Sequence, residues 1–102
     1  MEIEIDIVTI LTAKPAYQQA LGQALMTYAE LSLLEDGCLA YHMSLDKNQP
    51  PRFVITERWR DHDSFLNHEK SDVFQNLASD FEGFLEEPLL SVFSTPFPEA
   101  LS

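Results

Sequence analysis

The sequence predicts a small α+β protein in which one antiparallel sheet carries helices on one face. Its 102 residues fit one domain, with a core over about residues 3–95 and a tail over residues 96–102. Stretches that alternate between apolar and polar residues predict strands, and stretches with apolar residues three or four apart predict helices. Along the chain these stretches read β-α-β-β-α-β, which is the ferredoxin-like arrangement.

The spacing of apolar residues changes from two in the first segment to three and four in the next, which predicts a strand followed by a helix. Residues 2–12 begin by alternating apolar and acidic residues, so they predict a strand. Thr12 is a candidate cap for a helix over residues 15–34, which Asp36 and Gly37 end. The predicted core face of this helix has seven members: Tyr17, Ala20, Leu21, Ala24, Leu25, Tyr28 and Leu31.

The middle of the chain predicts a hairpin. Residues 38–46 alternate and are joined by a proline-containing loop to residues 52–60, which alternate again. The faces that carry the larger side chains are Leu39, Tyr41, Met43 and Leu45 in one strand, and Phe53, Ile55, Glu57 and Trp59 in the other.

Two short helices and a last strand complete the pattern. Asp61 or Asp63 can cap a helix that runs through residue 68, and Ser71 can cap a second one that Pro88 ends. The last strand is predicted over residues 89–95.

Apolar residues on both sheet faces predict a homodimer. Helices cover one face, and the other would be exposed to water in a monomer. Two sheets packed face to face would bury these residues, and the C-terminal tail could reach the partner.

The charge balance excludes several classes of partner. Six Lys and Arg stand against seventeen Asp and Glu, for a formal charge of −11. Such a surface repels phosphate backbones and anionic membranes, so we expect neither nucleic-acid nor membrane binding. The acidic N-terminus, without an apolar block, predicts a cytoplasmic protein. Cys38 is the single cysteine, and we expect a buried small side chain rather than a reactive thiol.

Glu57 is the most informative residue for chemistry. Its strand face is otherwise large and apolar, so the carboxylate must be paired or have its pKa raised by desolvation. A Glu with a raised pKa can act as a general base, and the alternative is a structural ion pair. Trp59 is either the wall of an aromatic pocket or a core residue.

His68 lies near the junction of the two short helices, where a pocket could open beside Trp59. The alternative is a surface or capping histidine. No two histidines have the spacing that directs two ligands to one metal ion, and no glycine-rich loop occurs. We therefore expect neither a metal site nor a bound cofactor.

The order of three motifs resembles the antibiotic biosynthesis monooxygenase family, which includes quinol monooxygenase-like proteins. The resemblance covers roughly residues 3–95. The motifs are Glu35-Asp-Gly-Cys38 before the second strand, Arg52-Phe-Val-Ile-Thr-Glu-Arg-Trp59 in the third, and His68-Glu-Lys-Ser-Asp-Val-Phe74 after it.

The resemblance implies a dimeric α+β barrel with a pocket between sheet and helices in each subunit. It implies oxidation of a quinol or polycyclic phenol with O2 and no cofactor, in which a base removes the phenolic proton. The catalytic candidates are Glu57, Trp59 and His68. The substrate-binding candidates are Phe53, Ile55, Phe65 and Phe74.

The chain also departs from the family pattern. Many relatives carry a second histidine where this chain has Val73, and the haem-degrading branch has a ligating histidine where this chain has Ala78. Ile55 and Phe65 stand where the polyketide-tailoring branch has Asn and Tyr. Because the haem-ligating histidine is replaced by Ala78, haem breakdown is not expected. A dimeric small-molecule binder or a small-metabolite isomerase on the same scaffold is the alternative function.

Overall fold

The computed structural model describes residues 3–47 and 50–97. Its four strands form one antiparallel sheet in the order β2-β3-β1-β4. The predicted ferredoxin-like α+β fold is confirmed, and the two predicted short helices stand where the ferredoxin-like pattern has its second helix. The elements are β1 (Ile5–Leu11), a 3-10 turn (Pro15–Tyr17), α1 (Gln18–Leu33), β2 (Cys38–Asp46), β3 (Arg52–Trp59), α2 (His62–Lys70), α3 (Asp72–Glu82) and β4 (Leu90–Ser94).

The register of the central strand β1 assigns each side chain to one sheet face. Ile7 lies opposite Glu57 of β3 and Phe93 of β4, whereas Val8 lies opposite Thr56 and Val92. Neighbours across a ladder share a face, and successive residues alternate. The predicted common face of Phe53, Ile55, Glu57 and Trp59 is therefore confirmed, and it is the face that the helices cover.

Both predicted caps of the short helices are confirmed. The Asp61 carboxylate accepts a hydrogen bond from the Ser64 N–H at 2.8 Å, and the Ser71 hydroxyl accepts one from the Phe74 N–H at 3.2 Å. The second of these helices, however, ends at Glu82 and not at Pro88. These bonds satisfy N–H groups that a helix start leaves unpaired.

The predicted cap at Thr12 is wrong. The Thr12 hydroxyl donates to a carboxylate oxygen of Glu87 at 3.2 Å. Ala13 forms a β-bridge with Leu85, which keeps this segment extended, and helix α1 begins only at Gln18 without a side-chain cap. Contacts to the segment before β4 therefore override the local capping signal.

The core face of α1 is narrower than predicted. Tyr17, Ala20 and Leu31 are exposed, while Ser32 is buried beside the predicted members Leu21, Leu25 and Tyr28. Tyr17 belongs to the 3-10 turn, whose tighter winding moves it out of phase with the helix.

A bulge in β2 overturns the predicted face of Leu39. The register shifts between Cys38 and Ala40, so Leu39 has no cross-strand partner and is exposed. Cys38 packs against the core instead and is half-buried, not fully buried as predicted. Burial raises the pKa of its thiol to about 11.

Some predictions lie outside the described residues, namely the strand start at residue 2 and the tail from residue 98 onward. Among the described helices, none is long and apolar enough to cross a membrane.

Replacing Gly37 should destabilise the fold strongly. Its φ of 94° is in the left-handed region, and an added Cβ would lie 2.3 Å from the Ser64 hydroxyl oxygen. We expect Gly37→Ala to lower the free energy of unfolding by about 2 kcal/mol or more, measured by urea denaturation. Gly83→Ala is the matched control, because its nearest neighbour is 4.0 Å away and its φ is −70°. Equal effects of the two changes would contradict this account.

Candidate functional site

A cavity of about 290 Å³ lies between the sheet and the helices. All four strands of the sheet contribute to its floor, and helices α1, α2 and α3 contribute its walls. Six aromatic side chains of the described residues line it: Tyr28, Tyr41, Phe65, Phe74, Phe81 and Phe93. A mainly apolar, concave cavity with a few polar groups is the usual form of a small-molecule site.

The ionisable groups that line the cavity include acidic residues and one histidine. Glu57 enters from β3, His68 and Glu69 from α2, and Glu82 from α3. No Lys or Arg is among the described residues that line it. The cavity therefore disfavours anionic ligands and favours neutral ones.

Glu57 is held in place by the neighbouring strand residue Trp59. The indole Nε1–H of Trp59 donates to Oε1 of Glu57 at 3.0 Å. The two side chains share a strand face, and this brings them within hydrogen-bond reach. Burial raises the pKa of Glu57, although this hydrogen bond and the charge of His68 act in the opposite direction. The effect of desolvation is therefore the largest, and the Glu57 carboxyl holds its proton more tightly than an exposed carboxyl does.

His68 is the most constrained polar residue of the site. Its side chain is 1% exposed. Nδ1 lies 2.6 Å from a carboxylate oxygen of Glu35, and Nε2 is hydrogen-bonded to the Tyr28 hydroxyl. The imidazole also packs on the Trp59 indole, with 4.4 Å between ring centroids. Both ring nitrogens are therefore engaged by side chains of the protein.

Tyr41 brings a further hydroxyl to the cavity. Its ring lines the cavity from β2, and its partner across the ladder is Glu57. Within the described part of the chain, the buried Tyr41 hydroxyl has no hydrogen-bond partner. Burial raises the pKa of Tyr41, so the group stays neutral. A buried hydroxyl without a partner is unfavourable, and a polar ligand atom would relieve this.

The structure brings together most of the predicted site residues. Glu57 and His68 line the cavity with Ile55, Phe65 and Phe74. The other two do not line it. Trp59 is fully buried behind Glu57 and His68, where it orients both, and Phe53 packs under α1 near Gly22.

Three residues of the site were not predicted to have these roles. Tyr28 was assigned to the helix core face, Tyr41 to a strand face, and Glu35 only to a family motif. The sequence offered two signals for these residues, namely tyrosine hydroxyls within apolar patterns and the glutamate of the family motif. Within the described residues, no cluster of three His, Cys, Asp or Glu side chains could hold a metal ion.

Comparison with known proteins agrees with this architecture. The family model described as antibiotic biosynthesis monooxygenase matches residues 5–80. No curated protein sequence matches the chain significantly.

Several solved structures share the fold at low sequence identity. Rv0793 from Mycobacterium tuberculosis has a TM-score of 0.87 at 22% identity, covering 95% of this chain and 98% of its own. PA3566 from Pseudomonas aeruginosa has a TM-score of 0.85 at 24% identity, covering 95% and 97%. A third protein, named as an antibiotic biosynthesis monooxygenase, has a TM-score of 0.85 at 21% identity, covering 92% and 99%.

Neutralising Glu57 should stabilise the protein at neutral pH. Its folded pKa lies above the ordinary value of 4.5, so the folded state binds this proton more tightly than the unfolded chain. Stability from this group is therefore lost as the pH rises from about 4.5 through the folded pKa, and each pH unit between the unfolded and folded pKa values costs about 1.4 kcal/mol. We expect Glu57→Gln to be more stable than the wild type at pH 7, with the difference disappearing near pH 4.

Urea denaturation across this pH range would measure the effect. Glu30→Gln, on the solvent-facing side of α1, is the control and should change stability little at any pH. A pH-independent difference between Glu57→Gln and the wild type would contradict the assignment.

Proposed function

The chain belongs to the antibiotic biosynthesis monooxygenase family, and from this premise we propose that it oxidises a small quinol or related phenol with O2, without a bound cofactor. The observation that carries the proposal is the apolar aromatic cavity with Glu57 on its sheet floor and His68 on its helix wall. Two groups able to exchange protons on different walls suit a reaction with two proton transfers.

The cavity volume supports a ligand of one or two fused rings. An apolar cavity of about 150 Å³ holds one benzene molecule. The cavity of about 290 Å³ is nearly twice this size, which suits a naphthol or naphthohydroquinone. The aromatic lining supplies ring-to-ring contacts, and the acidic lining favours a neutral phenol over a phosphate or carboxylate ester.

The proposed reaction converts a phenol and O2 into a quinone and water. Loss of the phenolic proton gives an electron-rich phenolate, which passes one electron to O2, and the resulting radical pair forms a carbon–oxygen bond. The ring carbon then loses its hydrogen as a proton while the oxygen–oxygen bond breaks, and the departing oxygen leaves as water. Glu57 and His68 share these proton transfers, and Trp59 positions both.

We further propose that the protein is a homodimer formed through the open sheet face. Its apolar centre consists of Val8, Ile10, Val54, Leu90 and Val92. Val92 is 53% exposed, and Leu90 is exposed as well. The same face of a second copy would cover this patch, giving the family's barrel and removing apolar area from water. The cytoplasmic location stays a prediction.

Oxygen uptake tests the activity. With naphthohydroquinones, a metal chelator and correction for autoxidation, we expect protein-dependent uptake at an oxygen electrode. His68→Ala and Glu57→Gln should each lower the rate about 100-fold, as is usual for loss of an acid–base group. His62→Ala is the matched control, since His62 lies at the start of the same helix and does not line the cavity.

Two outcomes would count against the oxygenase. Equal rates in all three variants would refute the site assignment. No uptake, combined with thermal stabilisation by the same phenols, would favour the binder or isomerase alternative.

Sedimentation or light scattering tests the dimer. We expect a mass of twice 11.6 kDa for the wild type and a monomer for Val92→Asp, because a buried unpaired carboxylate opposes association. Leu33→Asp, at an exposed position of α1, should remain dimeric. A monomeric wild type would contradict the proposal.

A further inference from the structure

We propose that Glu35, His68 and Tyr28 form a proton relay in which Tyr28 takes the phenolic proton directly from the ligand. The inference rests on the proposed function and identifies the base of that reaction. It also makes Glu35, which is not among the cavity-lining residues, a positioning residue for His68.

The hydrogen bonds of His68 leave the ligand one route to the imidazole. Nδ1 faces the Glu35 carboxylate at 2.6 Å, and Nε2 is bonded to the Tyr28 hydroxyl. Tyr28 and His68 both line the cavity. With neither ring nitrogen free, a ligand hydroxyl exchanges a proton with His68 through the Tyr28 oxygen.

Glu35 determines which nitrogen of His68 carries the proton. An ionised Glu35 has acceptors only, so Nδ1 must donate to it. In the neutral imidazole, Nε2 then has the lone pair and accepts the Tyr28 O–H. The Tyr28 oxygen retains a lone pair, which can accept a hydrogen bond from a ligand hydroxyl.

The relay step conserves atoms and charge and needs no oxidant. The ligand O–H bond breaks and its proton bonds to the Tyr28 oxygen, while the Tyr28 proton passes to Nε2 of His68. The products are a bound phenolate and an imidazolium. The imidazolium is stabilised by the Glu35 carboxylate, and the phenolate oxygen receives a hydrogen bond from Tyr28.

Tyr28 transmits the proton and does not remain an anion. Burial raises its pKa, and the negative charges of Glu57 and Glu35 raise it further. Glu57, on the sheet floor of the cavity, is available for the second proton transfer of the proposed reaction. Among residues 3–47 and 50–97, the other titratable groups around the cavity and His68 are Glu69 of α2, Glu82 of α3, and Cys38 and Tyr41 of β2.

The ionisation of a bound phenol tests the relay without turnover. The probe is a nitro-substituted naphthol whose phenol and phenolate forms absorb at different wavelengths, titrated on the protein in the absence of O2. We expect Glu35→Gln to raise the pKa of the bound probe by about one unit, a tenfold change, because the imidazolium loses its counter-charge. Tyr28→Phe should raise it as well, and the double variant should show less than the sum of the two changes.

The direction of the change separates the relay from a general charge effect. Glu69→Gln removes an equal charge from the cavity lining and should lower the pKa of the probe, since the phenolate loses a repelling neighbour. An unchanged or lowered pKa in Glu35→Gln, with the probe bound and the thermal unfolding intact, would overturn the relay alone. If the wild type failed to bind the probe, both the relay and the proposed phenol site would be overturned.

Discussion

The buried imidazole of His68 is the contact on which the site depends. It joins Tyr28 of α1, Glu35 in the turn after α1, and Trp59 of β3. A buried polar ring without partners would be costly, whereas one hydrogen-bonded through both nitrogens fixes the elements that supply its partners. These contacts connect α2, and with it one wall of the cavity, to α1 and to the sheet.

Glu57 lies in the same cavity, but its burial is less fully compensated than that of His68. Its carboxyl lies beside apolar side chains, and the Trp59 N–H compensates only part of its desolvation. Such a group weakens the folded state at neutral pH, and functional sites commonly retain groups of this kind. His68 therefore links the elements around the cavity, and Glu57 supplies a carboxyl with an altered proton affinity.

Local signals predicted most of the elements, and tertiary contacts account for the errors. The alternation of β3 correctly placed Glu57 among large side chains facing the helices, because strand period depends only on the backbone. The predicted cap at Ser71 was right, as was Asp61 of the two candidates Asp61 and Asp63, because a cap depends on residues only three positions apart. Thr12 failed as a cap because the segment before β4 holds its neighbour Ala13 extended, and Leu39 failed because a bulge shifts the register of β2.

The sequence pattern was sufficient for the order of elements and for most of their buried faces, since periodicity and capping act over a few residues. The grouping of Glu57 with His68 came from the resemblance to the family. Which side chains complete the site depends on how the helices pack on the sheet. Glu35 and Tyr28 are 33 and 40 positions from His68 in the chain, so nothing in their local pattern reveals the contact. They meet because α1 and α2 pack on the same sheet face, and burial then requires that each polar group find a partner.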